Sequence, residues 1–211
     1  MTAVVPNRSR SLLTVVDLTA TFVFAMEGSI AATYYDVDVF GVFVLGFSTA
    51  LVGGIIRDVL IGCVPPASLR SPTYPLIAFA GAAAVILLDR AVDDIPLVLF
   101  QVTDAIGLSL FAVAGAMKAM EYNIRSLVAA LLGTVSACGG GVVRDMMLNI
   151  VPIVLRAEVY ALAALSGAAT TVFVVRYFRA GRAVAMTAGF VVCLVLRLVS
   201  VWQGWSLPHI E

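Results

Sequence analysis

A short motif with two opposite charges occurs twice within apolar sequence and constrains the fold more than any other feature. The motif reads Gly-Gly-x-x-Arg-Asp and covers residues 53–58 and 140–145, so the two copies are 87 residues apart. The same offset relates Asp17 to Asp104, and the alignment needs no insertion or deletion from Asp17 to Pro65. An internal repeat of this kind predicts two similar structural units.

Composition identifies the class of protein. Of the 211 residues, 62% are hydrophobic and 12% are charged, and the formal net charge is zero. Soluble domains have about 25% charged residues, so the sequence predicts an integral membrane protein whose surroundings are a lipid bilayer. A neutral charge balance does not favour nucleic-acid binding, and no nucleic-acid partner is predicted.

Seven apolar runs are long enough to span a bilayer, which requires about 20 residues per helix. We therefore predict an all-α integral membrane protein with seven transmembrane helices in a single transmembrane domain that covers residues 1–211. The predicted spans lie near residues 12–33, 40–64, 73–88, 95–117, 126–152, 157–178 and 183–203.

The repeat begins in the first predicted span and again in the fourth. Each repeat, at about residues 12–90 and 95–178, therefore contains three helices, and the seventh helix at residues 183–203 is left over. Because three is an odd number, the second repeat is predicted to cross the membrane in the opposite sense from the first. Inverted repeats of this kind place an ion or substrate site near the midplane, where helices of both repeats meet.

Basic residues in the predicted loops indicate the orientation, because cytoplasmic loops carry an excess of Lys and Arg. The side that holds Arg90 and Arg156 has only these two. The N-terminus is therefore predicted to be cytoplasmic. Eight basic residues lie on its side: Arg8, Arg10, Arg70, Lys118, Arg125, Arg176, Arg179 and Arg182.

Both glycine clusters fall in the middle of a long predicted span. Gly53-Gly54 lie in the second span, and Gly139-Gly140-Gly141 lie in the fifth. Glycines favour bends, so we predict a kink or an unwound turn in each helix. The freed carbonyl oxygens, at the negative end of the first half-helix, would suit a partly dehydrated cation.

The Arg-Asp pair of each motif copy follows the glycines within one turn. Adjacent side chains on a helix point about 100° apart, so we expect each arginine to pair with a carboxylate on another span. One arrangement pairs Arg57 with Asp104 and Arg144 with Asp17, across the repeats. Pairing within each repeat is the alternative. Such charges either fix helix register or line a pore, and both roles stay open.

Two further charged residues lie inside predicted spans. Glu27 has no acidic counterpart, since Ala114 occupies the equivalent position, and it is expected either in a water-filled cavity or near the end of the first helix. Arg197, in the seventh span, is expected to extend towards the membrane surface or to pair locally.

At these motifs the chain resembles the trimeric intracellular cation channel (TRIC) family, in particular its prokaryotic branch. Two motif copies in the second and fifth spans and a length near 200 residues carry the resemblance, which extends from Asp17 to about Trp202. It implies a homotrimer in which each protomer has its own pore through the first, second, fourth and fifth spans. It also implies permeability to monovalent cations, with potassium foremost.

The first functional hypothesis is therefore a potassium-permeable channel, and the alternative is a secondary carrier for a small amino acid such as glycine. Potassium would be a transient occupant, and neither a cofactor nor a resident metal ion is predicted. No enzyme is predicted either, because His209 is the only histidine and no catalytic constellation is present. The candidate residues of the ion pathway are Asp17, Gly53, Gly54, Arg57, Asp58, Asp104, Gly139, Gly140, Gly141, Arg144 and Asp145.

Overall fold

The computed structural model describes residues 7–35, 37–92, 94–156 and 158–204, and the side chains of residues 7–11 and 158 are outside the description. The side chains of Arg8 and Arg10 and the whole of His209 are therefore outside it. Every regular element in the described ranges is an α-helix. These are α1 (Asn7–Thr33), α2 (Val39–Leu60), α3 (Ala67–Arg70), α4 (Thr73–Asp89), α5 (Leu97–Glu121), α6 (Ser126–Met147), α7 (Ile153–Arg156), α8 (Glu158–Tyr177) and α9 (Arg182–Gln203).

Six helices in the described ranges are long and apolar enough to cross a membrane, and the prediction of an all-helical membrane protein is confirmed. The remaining predicted span, near residues 73–88, corresponds to α4, which is apolar but only 17 residues long. The six are Leu12–Thr33 within α1, Val39–Leu60, Leu97–Glu121, Ser126–Met147, Val159–Tyr177 and Arg182–Gln203.

Helices α2 and α6 end earlier than the sequence predicted, at Leu60 and Met147, and each is 22 residues long. Just after each helix a residue adopts a left-handed backbone conformation, Gly62 with a φ of 78° and Asn149 with a φ of 56°. A left-handed residue after the last turn is a common way for a helix to end. The four-residue helices α3 and α7 follow, so each predicted long span is a helix with a separate short helix after it.

The glycines do not break α2 or α6, which are helical throughout, and the predicted unwound turn is therefore wrong. Instead the glycines let the two helices touch. A Cβ atom added to Gly53 would lie 2.2 Å from the carbonyl oxygen of Ser136, and one added to Gly140 would lie 2.1 Å from that of Thr49. Backbones can approach this closely only where side chains are absent.

Helices α1 and α5 pack beside this crossing. Phe24 of α1 and Phe111 of α5 are again 87 residues apart, and their ring centroids lie 5.1 Å from each other. Gly107 of α5 makes room for Phe24, since an added Cβ atom would lie 2.1 Å from that ring. Both repeats therefore contribute equivalent residues to the centre of the bundle.

Candidate functional site

The two motif copies build two buried charge clusters. The α2 cluster consists of Asp17, Arg57, Asp58, Tyr74 and Lys118. The α6 cluster consists of Glu27, Asp104, Arg144, Asp145, Tyr160 and Arg197.

In the α2 cluster, Arg57 connects two carboxylates. Its Nη1 donates to Oδ1 of Asp17 at 3.0 Å, and its Nε donates to Oδ1 of Asp58 at 2.8 Å. Lys118 of α5 donates to Oδ2 of Asp58 at 2.7 Å, and the Tyr74 hydroxyl donates to Oδ2 of Asp17 at 2.9 Å. Two acidic and two basic side chains thus neutralise each other, as buried charges require.

In the α6 cluster, Arg144 likewise connects two carboxylates that belong to different helices. Its Nη1 contacts Oε1 of Glu27 on α1, and its Nε donates to Oδ1 of Asp145 at 2.8 Å. Asp104 is held separately, by Nη2 of Arg197 at 3.1 Å and by the Tyr160 hydroxyl at 2.9 Å. Arg197 belongs to α9, so this cluster joins four long helices besides α6 itself.

The expected pairing across the repeats, Arg57 with Asp104 and Arg144 with Asp17, is wrong. The first repeat follows the alternative, since Arg57 binds Asp17 of its own repeat. The second follows neither arrangement, because Glu27 contacts Arg144 and Arg197 binds Asp104. Packing of α1 and α9 against the second repeat supplies these residues: Glu27 has no acidic counterpart in the second repeat, where Ala114 occupies the equivalent position, and Arg197 lies outside both repeats.

Each arginine also binds the aspartate beside it, which the 100° separation between neighbours argued against. The arginine side chain is long enough to fold back along the helix, as long helical side chains do. The second glycine of the motif leaves room for it: an added Cβ atom on Gly54 would lie 3.7 Å from Nη2 of Arg57, and one on Gly141 would lie 3.8 Å from Nη2 of Arg144.

Glu27 and Arg197 are both inside the protein. Glu27 is completely buried within α1, where it contacts Arg144, and the side chain of Arg197 binds Asp104 and lies over the Tyr160 ring at 4.7 Å. The expectation that Arg197 reaches the membrane surface is therefore wrong. Its guanidinium group pairs instead with Asp104 on α5, a helix that is far from α9 in the sequence.

The aspartate of each motif copy also holds the short helix that follows. Oδ2 of Asp58 accepts a hydrogen bond from the backbone N–H of Ala67, and Oδ2 of Asp145 accepts one from Ile153. These are the first residues of α3 and α7. Each aspartate therefore fixes the connection between two helices as well as binding its arginine.

Tyr74 and Tyr160 were not among the predicted site residues, although the sequence contains a signal for them. The repeat offset changes from 87 to 86 after Pro65, which aligns Tyr74 with Tyr160 and Gly81 with Gly167. In the structure, the two tyrosines bind the two equivalent acids, Asp17 and Asp104. A repeat alignment that allowed one deletion would have found them.

A small cavity of about 10 Å³ lies within the α2 cluster. Asp17, Asp58 and Tyr74 line it together with Ser68, whose buried hydroxyl has no hydrogen-bond partner among the described residues. This volume holds about one water molecule. The α2 cluster therefore combines polar lining with room for a molecule of that size.

The clusters lie in opposite halves of the bundle. On α1, Asp17 of the α2 cluster and Glu27 of the α6 cluster are ten residues apart, which is about 15 Å along a helix. On α2 and α6, the close contact of Gly53 with Gly140 comes about one helical turn before the arginine of each cluster. The structure thus places most candidate residues in two separate sites, not in one.

A family model described as "Glycine transporter" matches the chain twice, over residues 14–90 and 101–176. The UPF0126 membrane protein of Vibrio cholerae is 36% identical over 200 residues, which cover 94% of this chain and 82% of that protein. The UPF0126 inner membrane protein YadS of Escherichia coli is 33% identical over 192 residues, which cover 91% and 93% respectively.

Solved structures are similar over nearly the whole chain. A prokaryotic TRIC channel determined in 0.5 M KCl superposes with a TM-score of 0.84 and 30% identity, over 94% of this chain and 100% of that one. The TRIC orthologue from Rhodobacter sphaeroides gives a TM-score of 0.85 and 31% identity, over 92% and 100%. The helical arrangement described above is thus shared with these proteins.

Proposed function

The chain belongs to the trimeric intracellular cation channel (TRIC) family, and from this premise we propose that it conducts monovalent cations, potassium foremost. Its apolar helices and its relatives identify it as a multi-pass protein of the bacterial inner membrane. The pathway runs through each protomer along α1, α2, α5 and α6, the helices that carry the candidate residues.

One observation carries this proposal: each motif arginine is held by two carboxylates. An unpaired arginine in a conduction path would repel cations, so a cation pathway requires its charge to be neutralised. Arg57 binds Asp17 and Asp58, and Arg144 contacts Glu27 and Asp145. Carboxylates near the path then raise the local concentration of cations.

The arginines keep two possible roles within this proposal. With an exposed fraction of 1% each, Arg57 and Arg144 anchor helices in the form described. In a conducting form, the same side chains would line the pathway beside Asp58 and Asp145. The small cavity next to Asp17 supports a path through the α2 cluster, because it already provides polar lining.

We propose an inverted three-plus-three repeat with α9 as the seventh span, and with α4 as the third despite its length. Reciprocal contacts of residues 87 apart, such as Gly53 and Gly140, support two equivalent units, as do the two matches of the family model. The excess of basic residues favours a cytoplasmic N-terminus. The family to which the chain belongs supports a homotrimer as part of this proposal.

A carrier for a small amino acid is the second candidate function. The description of the family model, "Glycine transporter", favours it, and an arginine beside aspartates could bind the carboxylate and the amine of glycine. A carrier would have to open the α2–α6 crossing alternately to each side. The two functions differ in what they transport and in whether the rate saturates.

Proteoliposomes distinguish the two candidates. Vesicles loaded with potassium chloride and diluted into N-methyl-D-glucamine chloride should develop an interior-negative potential that a voltage-sensitive dye reports. Vesicles without protein are the control. Radiolabelled glycine uptake is measured over a concentration series in the same preparation. Saturable glycine uptake without any potassium-dependent potential would overturn the channel proposal.

A further inference from the structure

The two charge clusters differ in their formal charge. Each contains an arginine between two carboxylates, which alone leaves a charge of −1. In the α2 cluster, the ammonium group of Lys118 compensates for it by binding Asp58. In the α6 cluster, Arg197 is already matched by Asp104, so Glu27, Arg144 and Asp145 keep the surplus negative charge.

The repeat explains the missing positive charge. Lys118 on α5 binds the aspartate of the first motif copy on α2, so its counterpart on α1 would face the aspartate of the second copy on α6. The equivalent position, 87 residues earlier, is Ala31, which is buried and carries no charge. The α6 cluster therefore lacks the ammonium group that neutralises the α2 cluster.

A second observation identifies where a positive charge is needed. Glu27 is completely buried, and while its Oε1 contacts Arg144, its Oε2 has no hydrogen-bond donor among the described residues. An unpartnered, buried carboxylate oxygen is costly, and a net buried charge more so. Both features concern the same side chain.

No other described ionisable side chain on the helices around Glu27 supplies the compensation. On α5 and α6 the ionisable side chains of this half are Asp104, Arg144 and Asp145, which are already counted, and Cys138. On α4 the charged groups nearest this half, Asp89 and Arg90, are exposed at the helix end. The N-terminal part of α2 before Arg57 has no ionisable residue.

We propose that the α6 cluster binds one monovalent cation at Glu27, which takes the role that the Lys118 ammonium group has in the α2 cluster. The inference rests on the proposed function in so far as this ion is one that permeates. An alkali cation such as potassium and a proton supply the same charge, and they are the two sources that the experiment separates.

Thermal unfolding of the purified full-length protein in detergent tests the proposal. Melting temperatures are compared in potassium chloride and N-methyl-D-glucamine chloride at equal ionic strength, at neutral and at mildly acidic pH. A ligand that binds only the folded state raises the Tm, by about 3 °C for each tenfold increase above its Kd in a protein of this size. We expect potassium or acid to produce such a rise.

Glu27→Gln removes the surplus charge and should abolish the dependence on the cation, whatever its own Tm. Glu121→Gln, which removes a carboxylate that binds Arg182 outside both clusters, should keep the dependence. Ala31→Lys is a second variant, which supplies a tethered ammonium group and should also abolish it.

If potassium raises the Tm of the wild type but not that of Glu27→Gln, the site binds an alkali cation. If only mildly acidic pH raises the Tm of the wild type, and Glu27→Gln does not respond, the site binds a proton. A wild-type Tm that responds to neither, or a response that persists in Glu27→Gln, overturns the proposal. Because unfolding needs no transport, currents without this response would leave the channel proposal intact and remove only the Glu27 site.

Discussion

At the scale of single residues, each position of the Gly-Gly-x-x-Arg-Asp motif has a distinct task. The first glycine, Gly53 or Gly140, permits the contact of α2 with α6, and the second leaves room for the guanidinium group. The arginine joins carboxylates on two helices, and the aspartate also accepts a hydrogen bond from the following short helix. The motif is therefore a structural unit as well as a charge pair.

Arg57→Ala is expected to destabilise the protein strongly. Asp17 and Asp58 would stay buried, and only the charge of Lys118 would be left to compensate for both carboxylates. Breaking a buried ion pair in this way costs about 3–5 kcal/mol. The measurement is thermal unfolding in detergent, with Arg90→Ala as the control because Arg90 is exposed. An Arg57→Ala protein as stable as the wild type would mean that water already solvates this cluster.

The sequence identified the charged residues but not the pairs that they form. Asp17 and Asp104 were found because the repeat aligns them. Glu27, Lys118 and Arg197 contact the clusters from other helices, and which of them reach a given arginine depends on how the helices pack. A repeat alignment assumes equivalence, so it cannot predict contacts in which the two halves differ.

At the scale of the helices, the crossing of α2 and α6 determines how closely the two repeats approach. The glycine clusters predicted a break in each helix, because the backbone of glycine can adopt conformations that other residues avoid. A glycine within a helix also offers a surface without a side chain, which lets another helix approach closely. In the structure, the second property is used. The sequence pattern is the same in both cases, and only the neighbouring helix decides between them.

A pair of matched variants tests this interpretation. Gly53→Ala places a Cβ atom 2.2 Å from a backbone oxygen of α6, whereas the nearest atom to a Cβ atom on Gly54 is 3.7 Å away. We expect Gly53→Ala to lower the free energy of unfolding by about 1–3 kcal/mol, the usual cost of overpacking. Gly54→Ala should change it much less.

Thermal unfolding of both variants provides the measurement, and Gly140→Ala with Gly141→Ala repeats it in the second motif copy. Equal effects of Gly53→Ala and Gly54→Ala would contradict the close crossing. They would indicate instead that helix propensity or flexibility at the glycine pair determines stability.

At the scale of the whole molecule, a nearly symmetric scaffold carries two unequal charge clusters. Membrane insertion, helical class and family could all be predicted from composition, apolar runs and the repeated motif. The ends of α2 and α6 were predicted too late, because apolar residues continue past the left-handed Gly62 and Asn149 as far as Pro65 and Pro152, although Gly and Asn are the residue types that commonly end a helix. The charge difference between the clusters likewise became visible only with the pairs in place.

The central claim, that this chain is a cation channel, is tested most directly by recording single channels in a planar bilayer. Purified protein is studied under a potassium chloride gradient. We predict discrete current steps that reverse near the equilibrium potential of potassium, because the carboxylates neutralise the arginines along the path and favour cations. Steps that reverse near the chloride potential, or a silent bilayer from a preparation with saturable glycine uptake, would contradict the account.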